Sequence, residues 1–349
     1  MTISFLLHSG IRKPSGGVKI ILDYANTLAK EGHTVFIVQP CFLSKKSTSF
    51  FNALRRFVYY RLTKRYEPKW FLTDKNVHGK LVWSLAEKNV PKSDVFIATY
   101  VETAFWLEEY KKNTKKFYFI QGFEDWAVEE DRVLNSYSLN LKKIVVSNWI
   151  GKLVKRQGQN YFLVPNGFDT LLFSINNTME RRNNTVLFMW HEDELKRCED
   201  TIKAIVLVKS QIPDLQINIF SAFQNPNIKD FEYEFYHKAT PDVLARLYNE
   251  NYVYVAASRE EGWGLTVGEA MLCGCAVACT DNRGFRIMAE NEVTALVSPG
   301  YDYEKLAENI IRILKDKELH DKIVTNAYEK MKNFSVEESR KKFVEIVTQ

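Results

Sequence analysis

Short apolar runs alternate with segments of helical period along most of this chain. Residues 3–8 read as a strand. After a loop ending in Gly16-Gly17, Val18, Ile21, Leu22, Ala25 and Leu28 recur at spacings of three and four, the mark of a helix packed on one face. Gly32 stops it, and residues 34–38 form a second strand. Further strands are predicted at 95–99, 116–120, 143–147 and 161–164, with Ser147-Asn148 placed to cap a helix between the last two. A polar stretch, 174–184, has no apolar period and reads as a passage to a second half. There the alternation restarts: strand 185–189, helix 198–210, strand 216–220, helix 241–249, strand 252–257, strands 275–279 and 295–297, and helix 303–314. Strand–helix alternation predicts parallel sheets covered by helices. The expected division is 1–170, 171–333, and a closing helix within 334–349.

Residues 44–70 interrupt the rhythm. Phe50, Phe51, Leu54, Phe57, Val58 and Leu62 share one helical face, with Arg55, Arg56, Arg61, Lys64 and Arg65 between and after them and Tyr59, Tyr60 and Tyr66 nearby. Three readings fit. The apolar face packs on its own domain, the helix lies on an anionic membrane through residues 50–66, or interleaved Arg and Tyr bind single-stranded nucleic acid. Packing on its own domain is the reading that needs least, and nucleic acid is not expected as a partner.

Composition changes this picture little. The 349 residues, 46% hydrophobic and 26% charged with net charge +5, suit about two globular domains. No run approaches the roughly 18 apolar residues of a membrane span, and the apolar start at Ile3 lacks a basic lead-in, so a signal peptide is not expected. Cys41, Cys198, Cys273, Cys275 and Cys279 fit reduced thiols in a cytoplasmic protein. The last three lie in or beside an apolar run with no His at ligand spacing, so no metal site is expected.

Candidate chemistry concentrates at residues 258–269, Ser-Arg-Glu-Glu-Gly-Trp-Gly-Leu-Thr-Val-Gly-Glu. The order is strand end, glycine loop, helix start. Glu261 and Glu269 stand eight apart across the turn. The glycines free backbone amides near a helix N-terminus, where an anion is favoured. Amides for phosphate and carboxylates for hydroxyls suit a nucleotide sugar. Gly16-Gly17 enters the first helix, but the dinucleotide fingerprint G-x-G-x-x-G is absent, against a nicotinamide or flavin cofactor. Gln121-Gly-Phe-Glu124-Asp125-Trp126 follows a strand's carboxyl end, the edge where open α/β sheets bind ligands.

These segments resemble the retaining glycosyltransferases of family 4. EGWGLTVGE with AMLCG resembles their Glu-x7-Glu signature. PSGGVK, VPNGFD, YVAASREEGWGL and TDNRGFRIMAENEVTALVSPG fall in the family's order, and only residues 41–94 match weakly. The resemblance implies a GT-B fold: α/β, two Rossmann-like domains with parallel sheets facing across a cleft, the donor held mainly by the second. It further implies that Glu261 faces the donor sugar and Glu269 the ribose, with Gly262, Trp263, Gly264, Leu265, Gly16 and Gly17 also at the donor. Lys196 sits at the family's diphosphate lysine. His191 stands where an arginine is usual and Arg197 where a glycine is usual. A neutral imidazole carries no fixed charge, and Arg197 is the candidate to supply it.

Gln121, Glu124, Asp125 and Trp126 are the acceptor candidates, with Glu124 or Asp125 as a base or a hydroxyl ligand. The implied reaction needs no cofactor and no metal, because basic side chains and helix amides stabilise the leaving diphosphate. The implied substrates are a nucleotide sugar and a glycan or glycolipid acceptor at the inner face of the cell membrane. The style of FYFIQGFEDW suggests a polysaccharide enzyme, a rhamnosyltransferase among them. The alternatives are an epimerase of the same fold, acting on the donor alone, and a basic nucleic-acid-binding protein.

Overall fold

The structure, a computed structural model, describes residues 1–8, 11, 15–41, 50–64, 66–125 and 128–349. The chain forms two compact units, Met1–Pro165 with Glu337–Gln349, and Asn166–Val336. Trp126, Arg65 and residues 44–49 of the basic segment lie outside the described residues.

The first unit runs β1 (Thr2–Leu6), α1 (Gly16–Lys30), β2 (Thr34–Pro40), α2 (Phe50–Leu62), β3 (Val77–Val82), β4 (Val95–Ala98), α3 (Val101–Glu108), β5 (Lys115–Ile120), α4 (Glu130–Ser138), β6 (Lys142–Val145), α5 (Asn148–Arg156) and β7 (Tyr161–Leu163). The seven strands pair in parallel in the order β3-β2-β1-β4-β5-β6-β7. Ser15 caps α1, its Oγ accepting from the Val18 amide at 3.3 Å. Ser147 stands at the cap of α5, but its buried Oγ makes no capping bond, which corrects the role read for it. Residues 337–349 complete the unit: Phe343 stacks on Tyr24 at 4.0 Å and meets Phe119 edge-on at 5.4 Å.

The second unit runs β8 (Arg182–Met189), α6 (Cys198–Gln211), β9 (Gln216–Ser221), β10 (Glu234–His237), α7 (Pro241–Glu250), β11 (Asn251–Ala256), α8 (Leu265–Leu272), β12 (Ala276–Thr280), β13 (Leu296–Ser298), α9 (Tyr303–Lys315) and α10 (Lys317–Met331), with α11 (Val336–Thr348) beginning at its end. Its six strands are parallel in the order β10-β9-β8-β11-β12-β13. Two apolar clusters, one centred on Met271 and Val277 and the other on Val253 and Ile310, fill this unit. That burial explains why residues 252–257 and 275–279 are unbroken apolar runs.

Each sheet reverses strand order once, at β1/β4 and at β8/β11. Above the carboxyl ends of such a pair the outgoing connections diverge, leaving the crevice in which open α/β sheets hold ligands.

Candidate functional site

At the reversal of the second unit, β8 and β11 deliver most of the predicted residues. β8 leads through Trp190 to His191 and a short turn, Glu194–Lys196, capped by the Asp193 side chain on the Leu195 amide. β11 leads into the glycine loop. The two connections are joined at the backbone, Arg259 N donating to Leu195 O at 2.8 Å. They are joined again by side chains: Lys196 Nζ lies 2.6 Å from Glu261 Oε1, both groups partly shielded from water. Two residues 65 apart in sequence therefore meet as one ion pair.

His191 adjoins them. Its Nδ1 accepts from the Asp193 amide at 3.0 Å, which places the remaining ring proton on Nε2. Burial first, and the Lys196 charge second, hold its pKa below the ordinary histidine value. His191 is thus a neutral hydrogen-bond donor and supplies no substitute for an arginine's charge. Arg197 does not join the pair either. Its Nε donates to Asp200 at 2.7 Å and its guanidinium lies 4.6 Å over the Tyr301 ring. The expectation that Arg197 makes up the charge finds its side chain already engaged in bracing α6, whose first turn carries Asp200.

Glycines set how closely the loop is packed. Gly264, with φ +98°, occupies the left-handed region at the cap of α8, and a Cβ there would come within 2.6 Å of Phe285. Gly284, on the connection after β12, approaches so closely that a Cβ would stand 2.3 Å from the Glu261 carbonyl oxygen. Asn282 secures the same connection, donating to Ser258 O at 2.9 Å while accepting from the Phe285 amide.

Trp263 corrects an expectation. Placed at the donor by resemblance, its side chain is only 3% exposed, packs edge-on against Phe334 at 5.6 Å and belongs to the core. Leu265 likewise packs half-buried on that cluster, while Gly262 stays half-buried in the loop. Glu269 is 8% exposed, on a helix otherwise buried through Val267, Ala270, Met271 and Leu272, and it accepts from the Tyr248 hydroxyl at 3.3 Å. Tyr248, on α7, answers the need for a partner that so apolar a helix creates.

In the first unit, Gln121 Nε2 donates to Gly17 O at 3.2 Å, so the α1 entrance and the end of β5 meet. Gly16 lies beside it in the first turn of α1. Glu124 turns inward: Oε2 accepts from the Val101 amide at 2.7 Å, at the start of α3, and burial pushes its pKa to about 8 against that bond. Asp125 is exposed. One residue at this edge went unread. His8, just past β1 and beside the strand reversal, stacks on Tyr100 at 4.6 Å, and burial lowers its pKa. The same rule that drew attention to Gln121 applies to the end of β1.

Among the described residues, no group of three or more His, Cys, Asp or Glu could hold a metal ion, and no helix is long and apolar enough to cross a membrane.

Comparison with known proteins bears on the fold. Residues 176–330 match the family model described as glycosyl transferases group 1. A poly(glycerol-phosphate) alpha-glucosyltransferase of Bacillus subtilis (strain 168) is 24% identical over 193 residues, 53% of this chain; the match spans 28% of that relative's length. A sucrose-phosphate synthase from Thermosynechococcus elongatus superposes with a TM-score of 0.72 at 17% identity, covering 100% of this chain and 98% of that one. Anabaena HepE in complex with UDP-glucose does so at 0.72 and 15% identity, covering 100% and 99%. Both likenesses are of fold. The chain has the two-domain α/β architecture seen in GT-B glycosyltransferases, and its residues 176–330 are similar to the glycosyl transferases of group 1.

Proposed function

We propose that this protein transfers a hexosyl or deoxyhexosyl group from a nucleoside-diphosphate sugar to a glycan or lipid-linked oligosaccharide, retaining anomeric configuration, in the assembly of a cell-surface polysaccharide such as a capsule or lipopolysaccharide. It works in the cytoplasm, peripheral to the inner face of the cell membrane. The observation that carries the reading is the meeting of Lys196 and Glu261, at 2.6 Å, over the strand reversal of the family-matched unit.

Breaking the glycosidic bond to a diphosphate leaves negative charge on the leaving oxygen. Lys196 brings a cation for it, the neutral His191 adds an Nε2 donor, and the start of α8 adds amides. With these groups in place the reaction needs no metal. Glu261 accepts from donor-sugar hydroxyls near the reacting carbon and Glu269 from the ribose. The acceptor attacks from the face the diphosphate leaves, so no enzyme nucleophile is needed. In the first unit, Gln121, Asp125 and Trp126 bind the acceptor; Glu124, tied to the Val101 amide, shapes that edge.

The relatives suggest what to try first. One is named for alpha-glucosyl transfer to poly(glycerol-phosphate), and another was solved with UDP-glucose. UDP-glucose, on these grounds, and a thymidine-diphosphate rhamnose, on the resemblance of FYFIQGFEDW, head a thermal-shift panel of nucleotide sugars, followed by transfer assays with chelator present. Stabilisation by one donor, and transfer that survives chelation and is lost in Glu261→Ala, is the expected result. Glucose or rhamnose released to water as the other anomer, or donor converted to an epimer without transfer, would replace this reading.

A further inference from the structure

α2 turns an apolar stripe outward. Phe51, Leu54, Val58 and Leu62 follow one another at spacings of three, four and four, so they share one side of the helix. They are exposed, Phe51 by 78% and Leu62 by 79%. The helix settles on its unit by its other side, where the Phe57 ring meets Trp83 edge-on at 5.9 Å. At 100° per residue, Arg55 and Arg61 fall on opposite borders of the stripe. Arg56, farther round, holds its guanidinium 5.1 Å over the Tyr60 ring. The helix has no acidic residue, and neither does the sequence from 42 to 66, which carries Lys45, Lys46, Arg55, Arg56, Arg61, Lys64 and Arg65.

We infer that this outward face of α2 docks on an anionic phospholipid surface. Phe51, Leu54, Val58 and Leu62 enter the boundary between headgroups and acyl chains, and Arg55 and Arg61 meet lipid phosphates on either side. Charge complementarity selects this occupant. A second copy of the chain would bring the same cations together with no carboxylate on either helix. Single-stranded nucleic acid calls for aromatic platforms in a basic groove, whereas three of these four side chains are aliphatic. An interfacial helix needs an apolar side of this kind with basic flanks. The inference rests on the proposed work at a membrane, and it specifies the surface that makes the contact.

The test is co-sedimentation of the full chain with vesicles of phosphatidylcholine alone and of phosphatidylcholine with one-quarter phosphatidylglycerol. Binding to the anionic vesicles at least tenfold tighter than to the neutral ones is expected. Arg55→Gln with Arg61→Gln should weaken that binding by about fivefold per charge. Val58→Ser with Leu62→Ser, both exposed and so expected to leave the melting temperature unchanged, should abolish it on either vesicle. Equal pelleting with and without phosphatidylglycerol, binding that survives the two serines, or a dimer or RNA complex that those serines dissolve would each overturn the inference. Transfer to a water-soluble acceptor is measured in parallel. Vesicle binding without transfer sinks the enzyme reading alone, and transfer without vesicle binding sinks this one alone.

Discussion

Lys196 Nζ and Glu261 Oε1 stand 2.6 Å apart, on connections leaving β8 and β11 that a backbone bond between Arg259 and Leu195 also joins. The pair is only partly shielded, so its contribution to stability is small. Its value lies in holding a cation and a carboxylate side by side where a diphosphate and a sugar would each claim one. Lys196→Ala and Glu261→Gln are each expected to lower transfer by about 100-fold or more, with little change in melting temperature. Residues that act as a unit are not additive. The double variant should therefore be no worse than the poorer single one. Losses that multiply in a double-mutant cycle would mean the two act separately.

Gly284 reaches the same loop from the other side. Its φ is −72°, which alanine adopts freely, so only space forbids a side chain there. An added Cβ would stand 2.3 Å from the Glu261 carbonyl oxygen and 2.7 Å from the Glu261 Cβ. Gly284→Ala should displace Glu261 and lower kcat by up to about 100-fold, with an overpacking cost of about 1–3 kcal/mol in denaturation. Gly300→Ala is the control, since its Cβ would meet only the Asp281 oxygen, at 3.9 Å. Equal kcat values for the two variants would show that the close approach does not position Glu261.

Much of the architecture was legible because buried parallel strands are written as plain apolar runs, as at residues 252–257 and 275–279. β3 and β10 were not legible. Each is an edge strand whose sequence, VHGKLV or EFYH, mixes charge and aromatic residues with no long run. α10 was missed for a related reason: only His320, Ile323, Ala327 and Met331 are buried among its charges, a single row with little signal. At the site, spacing drew attention to Glu261 and Glu269 and the family resemblance to Lys196, but neither gave directions. Nothing in the sequence says that Arg197 turns to Asp200, that Trp263 turns into the core, or that the α2 stripe faces outward. Those outcomes depend on neighbours such as Phe334 and Trp83, which only the fold brings near, and on Asp200, which the first turn of α6 sets beside Arg197. His8 could have been found, since it ends the first strand.

Trp263 belongs to the core, and its removal should register as stability. Trp263→Ala is expected to cost about 3–5 kcal/mol in urea denaturation. Trp263→Phe keeps an aromatic ring against Phe334 and loses an indole nitrogen that meets no acceptor among the described residues. That variant should cost clearly less and leave the KM for the donor near that of the parent. A raised KM in Trp263→Phe at unchanged stability would instead return the indole to the donor site.

Glu124, half-buried, gives a pH signature that separates a shielded carboxyl from a solvated acceptor ligand. Burial raises its pKa from 4.5 to about 8 in the fold, although the Val101 amide favours the charged form. A carboxyl raised on folding binds its proton more tightly in the folded state. Its contribution to stability is therefore complete below about pH 4.5 and is lost as pH rises through 8. Lys143 works the other way: burial lowers its pKa to about 8, so its effect improves stability as pH rises above that value. Only a difference between proteins isolates Glu124. Glu124→Gln, whose amide oxygen can still accept from Val101, should melt with the parent at about pH 4.5, progressively above it as pH rises toward 8, and by a constant margin beyond that. Parallel melting curves across that range would place Glu124 in solvent as an ordinary carboxylate, and would restore it as a direct acceptor ligand alongside Asp125.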